Sequence, residues 1–161
     1  MAEEKAASTE QQQARFVIQK IYTKDISFET PNSPDIFREE WAPELDLQLG
    51  NEYNRIDDDN HEITLTVTVT AKVGDKVAFL VEVKQAGVFS LTGYSDQEMG
   101  PLIGSYCPNT LFPFAREVVS DIVLKGGFPQ LVLAPVNFDA VYMNQMEQAK
   151  QQAAAAQETT H

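Results

Sequence analysis

From Ile63 to Thr70 the chain alternates without a break, with Ile63, Leu65, Val67 and Val69 on one register and Thr64, Thr66, Thr68 and Thr70 on the other. A period of two, with β-branched residues on both registers, predicts a strand with one face buried and one face wet. A second such run starts at Lys76, and only Gly74-Asp75 stands between them. That spacing suits a two-residue hairpin, so the two strands are expected to pair antiparallel.

Two more strands precede the hairpin. Phe16, Ile18, Tyr22, Ile26 and Phe28 are expected on one face of the first, and Leu45, Leu47 and Leu49 alternate with Asp46 and Gln48 in the second. A four-stranded antiparallel sheet follows. In its last strand Val77, Phe79, Val81 and Val83 fall on one face while Ala78 and Leu80 fall on the other. Helices on one side of a small sheet cannot cover both faces, so such a strand points either to subunit contact or to burial in its own core.

Beyond residue 94 the pattern becomes helical. Ser95-Asp96-Gln97-Glu98 has the S-x-x-E spacing of a capping box, which starts a short helix that Gly100, Pro101 and Gly104 are expected to interrupt. A longer helix is predicted from Leu111 to Lys125, with Thr110 as N-cap, Pro113 in the first turn and Gly126-Gly127 as the stop. Leu111, Ala115, Val118, Val119, Ile122 and Val123 form its apolar stripe. A last helix is expected from Asp139 to Ala149, with Val141, Tyr142, Met146 and Ala149 on one side. Strands followed by helices, without a repeat or a dividing linker, indicate an α+β domain over residues 15–149. Segments 1–14 and 150–161, poor in large apolar residues and rich in Gln, Ala and Glu, read as mobile tails.

The chain's 161 residues suit one domain that folds without metal or disulfide. The single cysteine, Cys107, leaves no internal disulfide to form, which fits a reducing compartment and a cytoplasmic address. Glu3, Glu4 and Glu10 occupy the start where a signal peptide would be basic and apolar, and the longest apolar run, Val77 to Val81, falls far short of a membrane span. A net charge of −12, with Arg38, Arg55 and Arg116 scattered among acids, argues against nucleic acid and favours basic, apolar polypeptides as partners.

Catalytic chemistry finds no foothold in the sequence. His61 falls in a polar turn and His161 is the terminal residue, so no Cys/His set can hold zinc or activate a nucleophile. Asp57-Asp58-Asp59-Asn60 lacks the Gly and the distal Glu of a calcium loop and reads as a surface turn. Cys107, next to Pro108, reads as a buried inert thiol. Neither a cofactor nor a metal is expected. One stretch does stand out: Pro31, Pro34 and Pro43 frame Phe37 and the only tryptophan, Trp41. Such aromatics either plug their own core or line a groove that accepts apolar side chains.

Seven ordered segments together resemble the SecB family of export chaperones: IYTKDISFE at 21–29, the proline-framed loop ending at Trp41, VTVTA at 67–71, AFLVEVKQAGVFS at 78–90, CPNTLFPFARE at 107–117, GFPQL at 127–131 and LAPVNFDA at 133–140. The resemblance spans residues 15 to 147. It implies a non-enzymatic, ATP-independent holdase, a homotetramer built as a dimer of dimers, that keeps unfolded precursors competent for translocation and delivers them to the SecA motor. It further implies that Val81, Val83 and Gln85 lie on the assembly face, that Asp25, Glu29, Leu80 and Glu82 contact SecA, and that Trp41, Phe37, Leu45 and Leu47 line the client groove. The tail QQAAAAQETTH lacks the acidic, glycine-containing extension of many members, which bears on any tail contact with SecA. A SecB-like chaperone of a toxin–antitoxin system and a small-ligand-binding α+β domain are the alternatives.

Overall fold

The computed structural model describes residues 12–158. It contains one four-stranded antiparallel sheet, of strands β1 (Arg15–Glu29), β2 (Glu44–Arg55), β3 (Asn60–Val73) and β4 (Lys76–Thr92), in the spatial order β1-β4-β3-β2. The β3–β4 hairpin turns on Gly74 and Asp75 as its spacing requires, with Gly74 at φ 59°, a conformation that costs glycine least. At the other end of β4, Gln12, Gln13 and Ala14 cross over Gly93, where a Cβ would fall 2.9 Å from the Gln12 carbonyl oxygen. Residues 1–11, most of the expected N-terminal tail, lie outside the described residues.

Helices cover one face of this sheet. They are α1 (Asp96–Pro101), a π-helical turn (Leu102–Tyr106), α2 (Cys107–Lys125) and α3 (Phe138–Glu158). The stripe on α2 buries Leu111, Ala115, Val119 and Val123 against Val67, Val69, Val81 and Val83, all with no exposed surface. Shape fit also matters at Gly87, since a Cβ there would fall 2.7 Å from the Phe89 ring and 3.0 Å from Leu111. The opposite face, with its threonine column on β3, stays open.

Several expectations need correction. β1 does not keep one parity, because bulges between Ile18 and Lys20 and between Thr23 and Asp25 each shift the register. Each extra residue turns the following side chains over. Phe16 and Ile18, then Ile21 and Thr23, then Ile26 and Phe28 share the helix-covered face, while Tyr22, opposite Ala86, belongs to the open one. A third irregularity, at Ala78, sets Val77 opposite Lys72 and takes it off the face of Phe79.

Glycine and proline do not interrupt the helical run, which is continuous from Asp96 to Lys125. The capping box forms as expected, with Ser95 N–H donating to Glu98 Oε2 at 2.7 Å and Glu98 N–H to Ser95 Oγ at 3.3 Å. A π-turn joins the two parts, with Cys107 N–H donating to the Leu102 carbonyl five residues back. Gly100 and Gly104 are small because the Tyr142 ring of α3 rests on them. Thr110 is therefore no N-cap, and its hydroxyl donates to the Tyr106 carbonyl one turn earlier. The helix does stop at Gly126-Gly127, in a Schellman arrangement with Phe128 N–H donating to Val123 O and Gly127 N–H to Leu124 O.

The last helix continues past Ala149 to Glu158, so the segment expected as a tail from residue 150 is helical over its described part. Alanine and glutamine carry good helix propensity, which suffices although Met143 to Gln157 are all exposed.

His61 is not solvated. It faces the helix side of β3 with 4% exposure, its ring stacked on Tyr53 and its Nδ1 2.8 Å from Tyr53 Oη. Burial, with Arg55 assisting against Asp57 and Asp59, holds its pKa below the usual imidazole value. The folded state thus refuses a proton that the unfolded chain accepts. Stability is expected to fall as the pH drops below the unfolded value of about 6.5 and to level off below the folded one. Asp57 and Glu62, whose pKa values are lowered, act in a separate and more acidic window. Denaturant midpoints measured from pH 7.5 to 5 should show this slope in the native protein and lose it in His61→Phe; equal slopes would assign it elsewhere.

Candidate functional site

The proline-framed loop leaves β1 at Thr30, passes through a short 3₁₀ turn at Asp35–Arg38 and enters β2 at Glu44. Asn32 anchors it by donating to the Val77 carbonyl at 2.9 Å, and Ile36 is buried beneath it. These anchors set Trp41 over Phe79, ring centroids 6.4 Å apart, and 5.4 Å from Phe128. Phe37 packs on Phe128 at 5.1 Å, yet half of it stays exposed.

Leu45 and Leu47 occupy the same helix-side face on β2. Leu45 is opposite Ala71, which is opposite Phe79, and Leu47 is opposite Val69 and in turn Val81, so each lies in a row leading to the core. Both rows run out from under the helices, and Leu45 and Leu47 remain 49% and 40% exposed. The structure thus brings the four residues onto one open apolar strip, with Trp41 half buried. Phe79 and Phe128, which form its aromatic base, were not singled out from the sequence. The signal for Phe128 was present, since the residue after a glycine helix stop regularly packs back on the helix.

On the opposite, open face the bulges of β1 place Asp25 opposite Lys84, Ser27 opposite Glu82 and Glu29 opposite Leu80. Asp25, Glu29, Leu80 and Glu82 therefore share one surface. Asp25 and Glu29 are exposed, whereas Leu80 and Glu82 are half buried, with Thr68 Oγ1 donating to Glu82 at 3.3 Å. Farther along this face Tyr22 reaches across β4 and donates to Glu62, which also accepts from Lys24 Nζ at 3.0 Å. Burial, together with the bond to Glu62, pushes the Tyr22 phenol up to about 12, and the bonds from Tyr22 and Lys24 hold Glu62 below its usual value.

The third set, Val81, Val83 and Gln85, requires a correction. Val81 and Val83 have no exposed surface and Gln85 has 3%, because the face they share is covered by the chain's own α2. Gln85 is satisfied internally, its Oε1 accepting from Thr23 Oγ1 at 3.0 Å. They cannot touch another copy directly, and any influence on assembly passes through α2. Elsewhere the chemistry stays silent. Among the described residues no group of His, Cys, Asp and Glu is placed to hold a metal ion, and the buried Cys107 thiol is pushed up to about 12 by desolvation. No described helix is long and apolar enough to cross a membrane.

The sheet order, the helix-covered face and the aromatic loop can be set beside known proteins. The family profile described as SecB, preprotein translocase subunit SecB, matches residues 9–149. The chain belongs to the SecB family. Similar relatives include a SecB of Nitrosococcus oceani, 62% identical over 156 residues that cover 96% of this chain and 94% of the relative. A SecB of Methylococcus capsulatus is 54% identical over 147 residues, which cover 91% and 95% of the two chains. Both carry the name protein-export protein SecB. Among solved structures, a Mycobacterium tuberculosis SecB-like chaperone in complex with a peptide from an antitoxin superposes with a TM-score of 0.64. At 15% identity, over 76% of this chain and 91% of that one, it shares the SecB fold.

Proposed function

We propose that this SecB protein is an ATP-independent holdase, a protein-export chaperone that binds unfolded precursor polypeptides and hands them to the SecA motor. The observation that carries the reading is the apolar strip of Phe37, Trp41, Leu45 and Leu47, which the chain's own helices leave uncovered. Unfolded chains present apolar side chains to such a strip, and burying them is favourable by about 25 cal/mol per Å². Folded proteins present few. Binding the unfolded state selectively shifts its folding equilibrium by mass action, so holding needs no nucleotide and no catalytic group. The neighbour seen with an antitoxin peptide raises the antitoxin-chaperone reading, but the export-named relatives are far more similar.

The surface of Asp25, Glu29, Leu80 and Glu82 is the proposed SecA contact. An acidic rim around one leucine suits a basic partner surface, with charge acting on association rate and salt sensitivity. A homotetramer, as a dimer of dimers, is supported by two surfaces. One is the free edge of β1, 15 residues long and flanked by Ile18 and Ile26, 45% and 47% exposed. The other is the outward side of α2, where Phe114 and Leu124 are 47% and 50% exposed. Such surfaces fit contact between copies better than lasting exposure to water. A cytoplasmic location is part of the same proposal.

The test presents one slow-folding secretory precursor, unfolded or folded, to the purified protein without nucleotide. Capture of the unfolded form alone is expected. Glu82→Lys should keep that capture while losing SecA binding. Equal capture of both forms, or none, would sink the holdase reading, and joint loss of client and SecA would show that the two surfaces are not distinct.

A further inference from the structure

An open cavity of about 750 Å³ lies between the Asp96–Lys125 helical run and the start of α3. It is separate from the strip at Trp41, with no lining residue in common. The π-turn forms part of its wall, contributing Leu102, Ser105 and Tyr106, and Tyr94 lines it as well. A π-turn widens the backbone and turns side chains that a regular helix would carry past, and such turns recur at functional sites.

Its chemistry favours one kind of occupant. The helix starts that border it would ordinarily attract an anion, but several N–H groups there are already engaged. Glu98 N–H donates to Ser95 Oγ, Ser95 N–H to Glu98 Oε2, and Ala140 N–H to Asn137 Oδ1. What remains charged in the lining is acidic: Glu98 and Asp139, with no lysine or arginine beside them. Neither carboxylate is in an ion pair among the described residues. Asp139 accepts a hydrogen bond from the buried Ser105 hydroxyl, which fixes its position. Pro101, Leu102 and Phe138 add apolar wall, and Tyr94 and Tyr106 add aromatic faces.

We propose that this cavity binds an arginine side chain of an extended polypeptide. The aliphatic stem would lie on the apolar wall, and the planar guanidinium would meet the two carboxylates and stack on a tyrosine, a combination that a compact ammonium fills less well. Strip and cavity would then read different features of one client: the strip at Trp41 its apolar residues, the cavity its positive charge. The proposal rests on the chaperone reading only for the source of the arginine.

The experiment follows backbone amide resonances while N-acetyl-arginine-amide is titrated, against its citrulline counterpart, a neutral isostere. Saturable shifts at Ser105, Tyr106, Asn109 and Asn137 are expected for the arginine derivative, with citrulline binding at least about fivefold more weakly, the scale of one charge contact. Asp139→Asn and Glu98→Gln, which keep the Ser105 acceptor and the capping-box geometry, should each weaken the arginine derivative by a similar factor while leaving thermal stability unchanged. Free arginine, whose carboxylate would meet the same acids, should bind less well than the blocked form. Equal response to arginine and citrulline, silence at the cavity because a second copy fills it, tighter binding of free arginine, or indifference to both variants would overturn the proposal. Precursor capture in the same preparation reports on the holdase reading separately.

Discussion

Val83→Asp is expected to unfold the chain, and loss of the proposed assembly will follow from loss of the fold. Val83 has no exposed surface, lies between Val67 of β3 and Ile26 of β1, and sits within the cluster that α2 closes with Ala115 and Val119. A carboxyl group there finds no polar partner and either takes a proton or forces α2 away from the sheet, at a cost of several kcal/mol. Since a domain of this size is stable by only about 5–15 kcal/mol, most of the margin goes. Far-UV circular dichroism and a thermal melt should show a broadened or absent transition, alongside a collapsed native mass. Val83→Ala should cost less and keep the proposed oligomer. A Val83→Asp protein that melts like the native chain but has half its mass would mean that the residue meets another copy after all.

Joint replacement of Leu45 and Leu47 by aspartate should do the reverse, sparing the fold while removing client binding. Both leucines are close to half exposed, on a strand that forms the edge of the sheet, so their contribution to the core is small and the strand-propensity penalty is within about 1 kcal/mol. For a client the change is larger. Two apolar contacts vanish and two carboxylates must lose water, which together should weaken binding by about 2 kcal/mol or more, roughly thirtyfold. Affinity for an unfolded precursor, with the melting temperature as control, decides it. Unchanged affinity would move the client path off β2. Trp41→Ala is a less clean probe, because its ring also covers Phe79 and Phe128.

The two outcomes differ because covering, and not hydrophobicity, separates these residues. In the sequence, Val81 and Val83 look as ready for a partner as Leu45 and Leu47. Each pair flanks a charged residue, Glu82 in the one and Asp46 in the other. That α2 lies over β4 and β3 and leaves the outer part of β2 bare depends on the length and crossing of a helix more than twenty residues away in the chain.

Elements set by short-range rules were legible from the residues. The Ile63–Thr70 alternation, the Gly74-Asp75 turn, the Ser95–Glu98 capping box and the Gly126-Gly127 stop each act within a few residues, and each stands where the spacing places it. The four strands, their antiparallel order of types and the helix-after-strand plan follow from those signals, and the family's ordered segments identified the chain. What tertiary structure alone decided was the facing of side chains wherever register slips. Tyr22 changed sides because the first bulge in β1 turns it over before the second turns Ile26 and Phe28 back, and His61 went from turn to core because β3 begins three residues before its apolar pattern does. The continuity of α1, the π-turn and α2 was likewise invisible, since glycines that weaken an isolated helix become necessary when the Tyr142 ring packs on them. Local rules fix what each segment can be; which face is buried is fixed by the segment that lands on it, and that contact is written in distant residues.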